Sequence, residues 1–466
     1  MTEIGTRSVT GAALDALADG FRGELVTPDH PGYEDHRRVW NGSIDRRPAL
    51  IARCAGVADV IAAVRFGRER ALPVAVRSGG HSFPGLSVVD DGLVVDLSLM
   101  RGTRVDPAGA TVRAQAGVLL GELDHETQAF GLAVPSGIVT HTGIAGLTLG
   151  GGIGWLMRKH GLTIDRLRSV DLVTAAGDLV HADAEENPDL FWGVRGGGGN
   201  FGIVTEFEYA LERVGPIVLA GPTMWEVEHA GSVMRFYRDW IAEAPDELMT
   251  MLVLRRAPTI PAVPPEIQGR RVVVVVSCYA GDVADGERVL APLRAHRPPL
   301  LDLCRPQPYL AHQALLDPSF RPGWSYYVRS HDLAGLTDPV VDIFAEMGPQ
   351  VASPITSVGV FHLGGAVARV PAAATAFGGR DSGHTVNING NAKTPEDFDA
   401  ERDWARRFSD ALAPHAVGAY SNFLMEEGQD RVRRSYGANF GRLQELKRRW
   451  DPDNVFRLNQ NIPPAA

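Results

Sequence analysis

Apolar residues follow two spacings along the first half of the chain. Val57, Val60, Ile61 and Val64 recur with the period of a helix and predict a helix over 57–70. Short apolar runs bounded by glycine, proline or polar residues predict strands. The predicted strands are 73–76, 93–97, 111–115, 169–175, 178–182 and 203–209, and the other predicted helices are 12–21, 119–130 and 187–194. This pattern predicts an α+β unit with small sheets.

The pattern changes after Gly215-Pro216, where the glycine clusters end and longer apolar strands begin. Strands are predicted over 217–220, 249–254, 271–279, 354–363 and 383–391, and helices over 229–242 and 283–290. Their order indicates a second domain with a large antiparallel sheet, suited to form the wall of a pocket. The remaining chain predicts helices over 396–412 and 439–450, with a strand between them over 417–423.

Composition and charge disfavour several classes of protein. Of 466 residues, 44% are hydrophobic and 22% are charged, as in ordinary soluble globular proteins. The net charge of −10 disfavours a protein that binds the phosphates of nucleic acid, and no stretch approaches the roughly 20 apolar residues of a membrane span. The first twenty residues lack the pattern of a signal peptide. We therefore expect a cytoplasmic protein that binds neither nucleic acid nor membrane.

The three cysteines, Cys54, Cys278 and Cys304, stand far apart in the chain. Their spacing is not that of a metal site, and an odd number argues against a disulfide framework. We expect buried free thiols and no metal.

The 52 glycines are clustered. The densest runs lie within 143–161 and 193–202, which indicates close approach of the backbone to a ligand. A shorter cluster follows the predicted strand 73–76 and reads Arg77-Ser-Gly-Gly-His81-Ser. Consecutive N–H groups in such a turn form a concavity that suits a phosphate. Arg77 adds a positive charge, and His81 at the tip is placed to meet the ligand with its imidazole.

The two longer glycine runs differ in context. The run 195–202 matches G-x-G-x-x-G, but it follows a predicted helix and precedes a predicted strand, the reverse of a Rossmann fingerprint. The Walker A pattern is absent, so nucleotide binding uses neither of those folds. The segment 133–155 is predicted to offer a long ligand a nearly bare surface. Its interleaved polar residues are Ser136, Thr140, His141, Thr142 and Thr148. We interpret His141 as a hydrogen-bonded structural histidine.

Five motifs occur together and in order: Arg77-Ser-Gly-Gly-His81-Ser, Pro135-Ser-Gly, Gly150-Gly-Gly-Ile-Gly154, Gly196-Gly-Gly-Gly-Asn-Phe-Gly202 and Asp451-Pro-Asp-Asn-Val-Phe. In this combination the chain resembles flavoproteins of the vanillyl-alcohol-oxidase type, and among them the berberine bridge enzyme-like oxidoreductases. The resemblance implies a PCMH-type FAD-binding domain of two α/β subdomains over 41–214. It also implies a substrate domain over 215–394, with a large antiparallel sheet flanked by helices, and a C-terminal segment, 395–466, that returns to the FAD domain.

The resemblance implies the cofactor residues by position. His81 matches the histidine that bonds to the 8α-methyl group of FAD, and Arg77 to Gly80 match the loop around the pyrophosphate. Many relatives carry a second flavin-linking cysteine where this chain has Val139, so attachment through His81 only is implied. The other implied FAD-binding residues are Ser78, Gly79, Ser82, Ser136, Gly137, Thr142, Gly143, Gly146, Thr148, Gly150, Gly152, Gly202, Val204 and Asn459.

The segment Ala419-Tyr420-Ser-Asn-Phe423 resembles the family's Tyr-x-Asn-Tyr, whose first tyrosine often acts as a catalytic base. Tyr420 would then take the proton of a substrate hydroxyl while a hydride leaves for flavin N5. Some relatives stabilise the phenolate with a lysine, but the matching strand here carries Asn387 and Asn389. A free phenol has a pKa of about 10, so a fully formed phenolate is less favoured. The alternative for Tyr420 is a core position in a strand.

The resemblance implies an FAD-dependent oxidase that takes a hydride from an alcohol, a sugar or a secondary metabolite and releases H₂O₂ from O₂. One alternative is a dehydrogenase with another electron acceptor, which would differ in oxygen access near Ile144. Another is a flavin-dependent cyclase or tailoring enzyme of secondary metabolism. A flavin-free binding protein that kept the fold is the alternative from a different class. The sequence predicts neither the particular substrate nor the oligomeric state.

Overall fold

The computed structural model describes residue 9 and residues 11–425 and 427–465. Two main sheets, a further two-stranded sheet and their helices build a first lobe. Its elements are α1 (Ala12–Ala18), β1 (Glu24–Val26), α2 (Tyr33–Arg37), β2 (Leu50–Arg53), α3 (Val57–Glu69), β3 (Val74–Arg77), β4 (Leu93–Asp96), β5 (Thr103–Asp106), β6 (Thr111–Gln115), α4 (Leu120–Gln128), β7 (Leu132–Ala133), α5 (Ile144–Leu149), α6 (Met157–His160), β8 (Leu167–Val173), β9 (Leu179–Ala182), α7 (Pro188–Val194), β10 (Ile203–Ala210) and β11 (Glu212–Arg213).

The two main sheets of the first lobe share one apolar core. The first has the order β1-β2-β4-β3, with β2, β4 and β3 parallel and β1 antiparallel at the edge. The second has the order β5-β6-β10-β8-β9 and is antiparallel throughout. Val64, Val95 and Leu172 are fully buried members of the core between them. Because β3 ends at Arg77, the glycine turn after it lies at the carboxyl end of a parallel strand, where ligand crevices form.

A larger antiparallel sheet follows, with the strand order β15-β12-β14-β13-β18-β19-β17-β20 and with β16 also paired to β12. The elements of this region are β12 (Ile217–Glu226), α8 (Ala230–Ala242), β13 (Leu248–Arg256), β14 (Arg271–Tyr279), α9 (Val283–His296), β15 (Leu301–Asp302), β16 (Arg305–Pro308), α10 (Tyr309–Gln313), β17 (Ser325–Leu333), α11 (Asp338–Met347), β18 (Ser357–His362), α12 (Ala366–Arg369), β19 (His384–Ala392), α13 (Pro395–Leu412) and β20 (Ala416–Gly418).

Both faces of the large sheet are buried. Leu252 and Leu254 of β13 belong to the core that lies under α8, α9, α11 and α13. Met251 and Val253 alternate with them and belong to a second cluster, which meets the first lobe. This double burial explains the five consecutive valines of β14, Val272–Val276, since neither face of that strand is exposed to water.

The predicted α+β class, with a large antiparallel sheet flanked by helices, is confirmed. The strand predicted over 417–423 is wrong beyond Gly418, because the chain leaves the sheet edge there and forms a 3₁₀ turn over Ser421–Phe423. The strand β17 and the helix α11 were not predicted from the sequence. In β17 the buried Ser330, His331 and Asp332 interrupt the apolar pattern that marks a strand.

The boundaries predicted at 214/215 and 394/395 stay predictions. The structure adds that α13 packs on β17 and β19, so this helix covers the large sheet. The return to the first lobe follows later, through α14 (Gln429–Tyr436) and α15 (Phe440–Trp450), and α15 packs on α7.

Three further expectations concern membranes, metals and thiols. Among the described helices, none has the length and apolar character needed to cross a bilayer. Within the same residues, no group of three His, Cys, Asp or Glu side chains is arranged to hold a metal ion. Cys54, Cys278 and Cys304 are all free and buried.

A buried ion pair fastens the C-terminal segment to the first lobe. Lys447 and Asp451 are fully buried, and the ammonium group lies 2.5 Å from the carboxylate. The ammonium also donates to the carbonyl oxygens of Asn200 (2.7 Å) and Phe456 (3.0 Å). The carboxylate accepts from the backbone N–H groups of Val455 and Phe456. The pair therefore joins α15, the glycine-rich run that ends at Gly202, and the tail.

We expect Lys447→Met to lower the free energy of unfolding by about 3–5 kcal/mol, because it leaves the Asp451 carboxylate buried without its cation. The double variant Lys447→Met with Asp451→Asn should lose less. Urea unfolding measures both. Arg448→Met, at an exposed position on the same helix, is the control and should stay within about 0.5 kcal/mol of wild type. Equal stability of the Lys447 and Arg448 variants would contradict this role.

Candidate active site

A cavity of about 540 Å³ lies between the first lobe and the large sheet. One wall consists of the turn after β3, the segment around α5 and the start of β10, and the other consists of strands β12, β13, β14, β18 and β19. Parts of the chain between Tyr420 and Gln460 complete the lining. Most of the lining is apolar, and within the described chain it contains no Asp, Glu or Lys. Such a lining suits a largely aromatic ligand that carries negative charge.

Two loops of the first wall meet backbone to backbone. A Cβ atom on Gly79 would overlap the backbone nitrogen of Gly143, and a Cβ atom on Gly143 would overlap that of Gly79. A Cβ atom on Gly154 would overlap the carbonyl oxygen of Ser136. Gly80 has a φ of 68°, a conformation that glycine adopts without strain. These contacts require glycine, and they leave this wall without Cβ atoms.

Most residues that the resemblance implied for the site do line the cavity. They are Ser78, Gly79, Gly80, His81, Ser82, Gly137, Thr142, Gly143, Gly146, Gly202, Val204 and Asn459 among the FAD-binding residues, and Tyr420, Asn387 and Asn389 among the catalytic ones. The fold therefore brings together positions from six separate stretches of the sequence.

Arg77 does not lie where the sequence analysis expected it. Its guanidinium group is buried and forms an ion pair with Asp96 at 2.6 Å, and it donates to the carbonyl oxygen of His36 at 2.5 Å. It is not part of the cavity lining. The predicted contact between Arg77 and a pyrophosphate is therefore corrected. A buried guanidinium that is already paired with the Asp96 carboxylate would lose that ion pair if it moved to bind a phosphate.

Four other implied FAD-binding residues lie behind the lining. The hydroxyl of Ser136 accepts a hydrogen bond from Gln313, and that of Thr148 bonds to the buried Tyr209 hydroxyl at 2.8 Å. A Cβ atom on Gly150 would overlap Asn422, and Gly152 donates its N–H to Tyr420. These residues support the wall and Tyr420, and their direct contact with FAD stays a prediction.

His81 lies in the cavity with one ring nitrogen already engaged. Its Nε2 is 2.7 Å from Nδ1 of His141, and Trp40 stacks on its ring with the ring centroids 4.4 Å apart. Burial, and then the neighbouring His141, hold the pKa of His81 well below its usual value. The imidazole is therefore neutral at pH 7, with Nδ1 as the nitrogen left without a hydrogen-bond partner among the described residues.

His141 is hydrogen-bonded, as the sequence analysis interpreted it, but its partner is the candidate flavin-linking histidine. Burial lowers the pKa of His141, while the carboxylate of Asp317 opposes that shift. The same carboxylate accepts hydrogen bonds from the N–H and the hydroxyl of Thr140. Val139 lines the cavity close to this pair, and no cysteine of the described chain does.

Tyr420 is buried, with its hydroxyl oxygen accepting two hydrogen bonds. The donors are the N–H of Gly152 at 3.0 Å and Nδ2 of Asn422 at 2.9 Å. Burial raises the pKa of Tyr420 to about 12, although the two hydrogen bonds act to lower it. The phenol is thus protonated at rest, in a setting that supplies two donors to an anionic oxygen.

Asn387 and Asn389 project from the same face of β19 and are buried. The Oδ1 atom of each has no hydrogen-bond partner within the described structure. A buried amide oxygen without a donor is costly, and a donor on a bound ligand would remove that cost. Asn459 shows the same feature at its Oδ1, while its Nδ2 donates to the carbonyl oxygens of Gly199 and Phe456.

Three functional positions were missed or placed differently by sequence reasoning. Asn422 was quoted in its motif without a role, although its position two residues after Tyr420 brings its amide to the phenol oxygen. Trp40 carries no local signal, since its stacking on His81 joins distant parts of the chain. Ile144, expected beside the oxygen path, is fully buried in the core of the first lobe and is not part of the lining.

Comparisons with known proteins agree with this geometry. The FAD binding domain family model matches residues 48–183, and the berberine and berberine-like model matches residues 419–463. An FAD-linked oxidoreductase of Dictyostelium discoideum is 31% identical over 429 residues, covering 91% of each chain. This chain belongs to the berberine bridge enzyme-like family of FAD-linked oxidoreductases.

A sequence match and a solved structure both carry the name of an oxidase of 6-hydroxynicotine. The (R)-6-hydroxynicotine oxidase of Paenarthrobacter nicotinovorans is 38% identical over 246 residues, which is 52% of this chain and 54% of that protein. The crystal structure of 6-hydroxy-D-nicotine oxidase from Arthrobacter nicotinovorans superposes with a TM-score of 0.86 at 29% identity, covering 96% of this chain and 98% of the other. The glycine wall, the lining without acidic groups and the imidazole of His81 fit a bound FAD.

Proposed function

We propose that this flavoprotein is an oxidase with FAD attached through His81 alone, and that it oxidises an alcohol carbon of a small organic molecule with O₂ as electron acceptor. The observation that carries the proposal is the shared cavity. His81, the glycine wall and Tyr420 all line it, together with an apolar sheet face large enough for a substrate. The name 6-hydroxynicotine oxidase, carried by a sequence relative and by a similar solved structure, supports the choice of an oxidase.

The first-lobe wall would hold the cofactor. Ser78, Gly79 and Gly143 offer a surface without bulky side chains, and the absence of acidic groups from the described lining favours a dianionic pyrophosphate. When bound, FAD would supply the acceptor for a hydride, which carries two electrons, and O₂ would take these two electrons with two protons to leave as H₂O₂.

The histidine pair supports attachment through Nδ1 of His81. His141 engages Nε2 of His81, so Nδ1 is the nitrogen left to form a bond. The low pKa of His81 keeps the ring neutral, and a neutral ring has the lone pair that a nucleophile needs. Val139 supplies no second link.

Tyr420 would take the proton of the substrate hydroxyl. As negative charge develops on its oxygen, the N–H of Gly152 and the amide of Asn422 are already aimed at it, so no donor has to reorient. Asn387 and Asn389 would accept hydrogen bonds from the substrate through their unpartnered oxygens. The apolar wall excludes water and strengthens these interactions.

The linkage is tested by acid precipitation of the purified protein. We expect flavin to stay with the denatured polypeptide, and a digest to yield one flavin peptide that contains His81 linked through Nδ1. His81→Ala should still bind FAD but release it in acid. Release of flavin from the wild type would refute the covalent bond, and a colourless protein would support the flavin-free alternative.

The electron acceptor is tested once a substrate is turned over. H₂O₂ should then form in step with substrate oxidation. A reduced protein that survives for minutes in air but is reoxidised at once by a quinone dye would identify a dehydrogenase instead.

The base is tested by anaerobic stopped-flow reduction. Tyr420→Phe should slow flavin reduction by about 10²–10⁴-fold while the flavin spectrum is retained. Only the phenolate accepts the proton, so its fraction, and the wild-type rate, should rise with pH from 6 to 10 without a plateau below the pKa of about 12. Asn422→Leu removes a hydrogen bond that lowers this pKa and should slow reduction at each pH.

Tyr237→Phe provides the matched control, because Tyr237 is a buried tyrosine in the core behind the large sheet. It should reduce at the wild-type rate. A Tyr420→Phe rate within about threefold of wild type, against the factor expected of a lost base, would show that Tyr420 is structural.

A further inference from the structure

The substrate wall of the cavity is apolar but contains one isolated cation. The permanent charges in the described lining are two arginines, Arg255 on β13 and Arg305 on β16. Arg305 is exposed on a short edge strand, whereas Arg255 is half-buried in the middle of the sheet, next to Val253 and Met251 along the same face. Arg255 is therefore the charge that an enclosed ligand would meet.

The guanidinium group of Arg255 has no carboxylate partner. Its Nε donates to the carbonyl oxygen of Arg256 at 3.1 Å, and its Nη1 donates to the Ser319 hydroxyl at 3.2 Å. Its Nη2 has no hydrogen-bond partner in the described structure, and no carboxylate of those residues lies within 4.0 Å of the group. Asp317, two residues before Ser319, is engaged by Thr140.

Two other buried arginines of this protein are paired with carboxylates, whereas the buried Arg158 donates to backbone carbonyl oxygens. Arg77 pairs with Asp96, and Arg380 pairs with Asp165. Burial without a counter-charge lowers the pKa of Arg255 to about 10, which still leaves it charged at pH 7. A cation held in apolar surroundings without an anion is unfavourable, and a bound anion would remove that cost.

The distance between Arg255 and the asparagines of β19 defines the size of a ligand that could contact both. Arg255 is paired across the sheet with Ser357, and Ser357 with Asn389. Asn387 lies two residues from Asn389 along β19. Two strand spacings and two residues separate the backbones of Arg255 and Asn387 by about 12 Å. The wall between them includes Val253, Ser357 and Gly359.

We infer that Arg255 binds the carboxylate of the substrate, and that the substrate is an apolar, ring-containing acid whose oxidised carbon lies toward Tyr420. The second half of the inference, which places the oxidised carbon toward Tyr420, rests on the proposed function. The FAD pyrophosphate is a weaker candidate for the same cation, because the glycine wall of the first lobe faces the opposite side of the cavity. A fork of two N–H donors matches a carboxylate in shape as well as charge.

Calorimetric titration of the holoprotein with 3-phenylpropionate, 3-phenylpropionamide and acetate tests this. The carboxylate should bind at least tenfold more tightly than its neutral amide, and acetate should bind weakly because it lacks the apolar part. Arg255→Met should weaken the carboxylate at least tenfold and leave the amide within twofold. Arg255→Lys, which keeps the charge, should recover part of the loss. Arg104→Met, at an exposed site on β5, is the control for a lost charge.

Several results would overturn the inference. The carboxylate binding no better than the amide to the wild type, or equal losses for both ligands in Arg255→Met, would show that Arg255 recognises no anion. Loss of flavin from Arg255→Met, with Arg255→Lys retaining it, would assign the cation to the cofactor phosphate. Failure of the proposed function would be seen separately, as a purified protein without flavin. The ratio of carboxylate to amide affinity is measured by calorimetry and does not require turnover.

Discussion

The cavity of this flavoprotein depends on the contact between the backbones of Gly79 and Gly143. The turn after β3 and the segment entering α5 approach so closely that neither position has room for a Cβ atom. The contact is supported by the Ser78 hydroxyl, which donates to the carbonyl oxygen of Ala116, and by a β-bridge between Leu119 and Gly143. A side chain at either glycine would separate the loops and displace His81, which follows two residues after Gly79. The glycine wall and the position of His81, the candidate attachment point, therefore depend on the same backbone contact.

Burial then determines the protonation state of the groups in the site. His81 and Tyr420 are both held neutral at rest because each lies in surroundings that disfavour its charged form. The chain has a net charge of −10, yet its described cavity lining contains no acidic side chain. The negative charge is placed elsewhere, and the cavity is left suited to anionic and electron-rich ligands. Within that setting, the unpartnered amide oxygens of Asn387 and Asn389 and the cation of Arg255 are polar features that can discriminate between substrates.

The success of the sequence analysis differed between elements for physical reasons. The glycine motifs were informative because close approach of backbone leaves a residue-specific mark, and most of the positions they implied do line the cavity. Arg77 was misplaced because a local motif does not show that Asp96, on the neighbouring strand, takes the guanidinium. The strand β17 was missed because its buried polar residues are satisfied by partners that are distant in the chain. His331 bonds to Ser409 and Arg431, and Asp332 accepts a hydrogen bond from Thr385. Apolar periodicity does not register a buried polar residue of this kind.

By itself, the sequence determined the fold class, the family and the glycine-rich wall, because these depend on local spacing, on apolar periodicity and on positions where only glycine fits. The tertiary structure decided which nitrogen of His81 is free, how the oxygen of Tyr420 is held and which arginine faces the substrate space. Each of these depends on groups that are distant in the chain: His141 for His81, Gly152 for Tyr420 and Ser319 for Arg255. Hydrogen bonds and desolvation act over a few ångströms in space, and the positions of the partners along the sequence do not show which of them lie that close together.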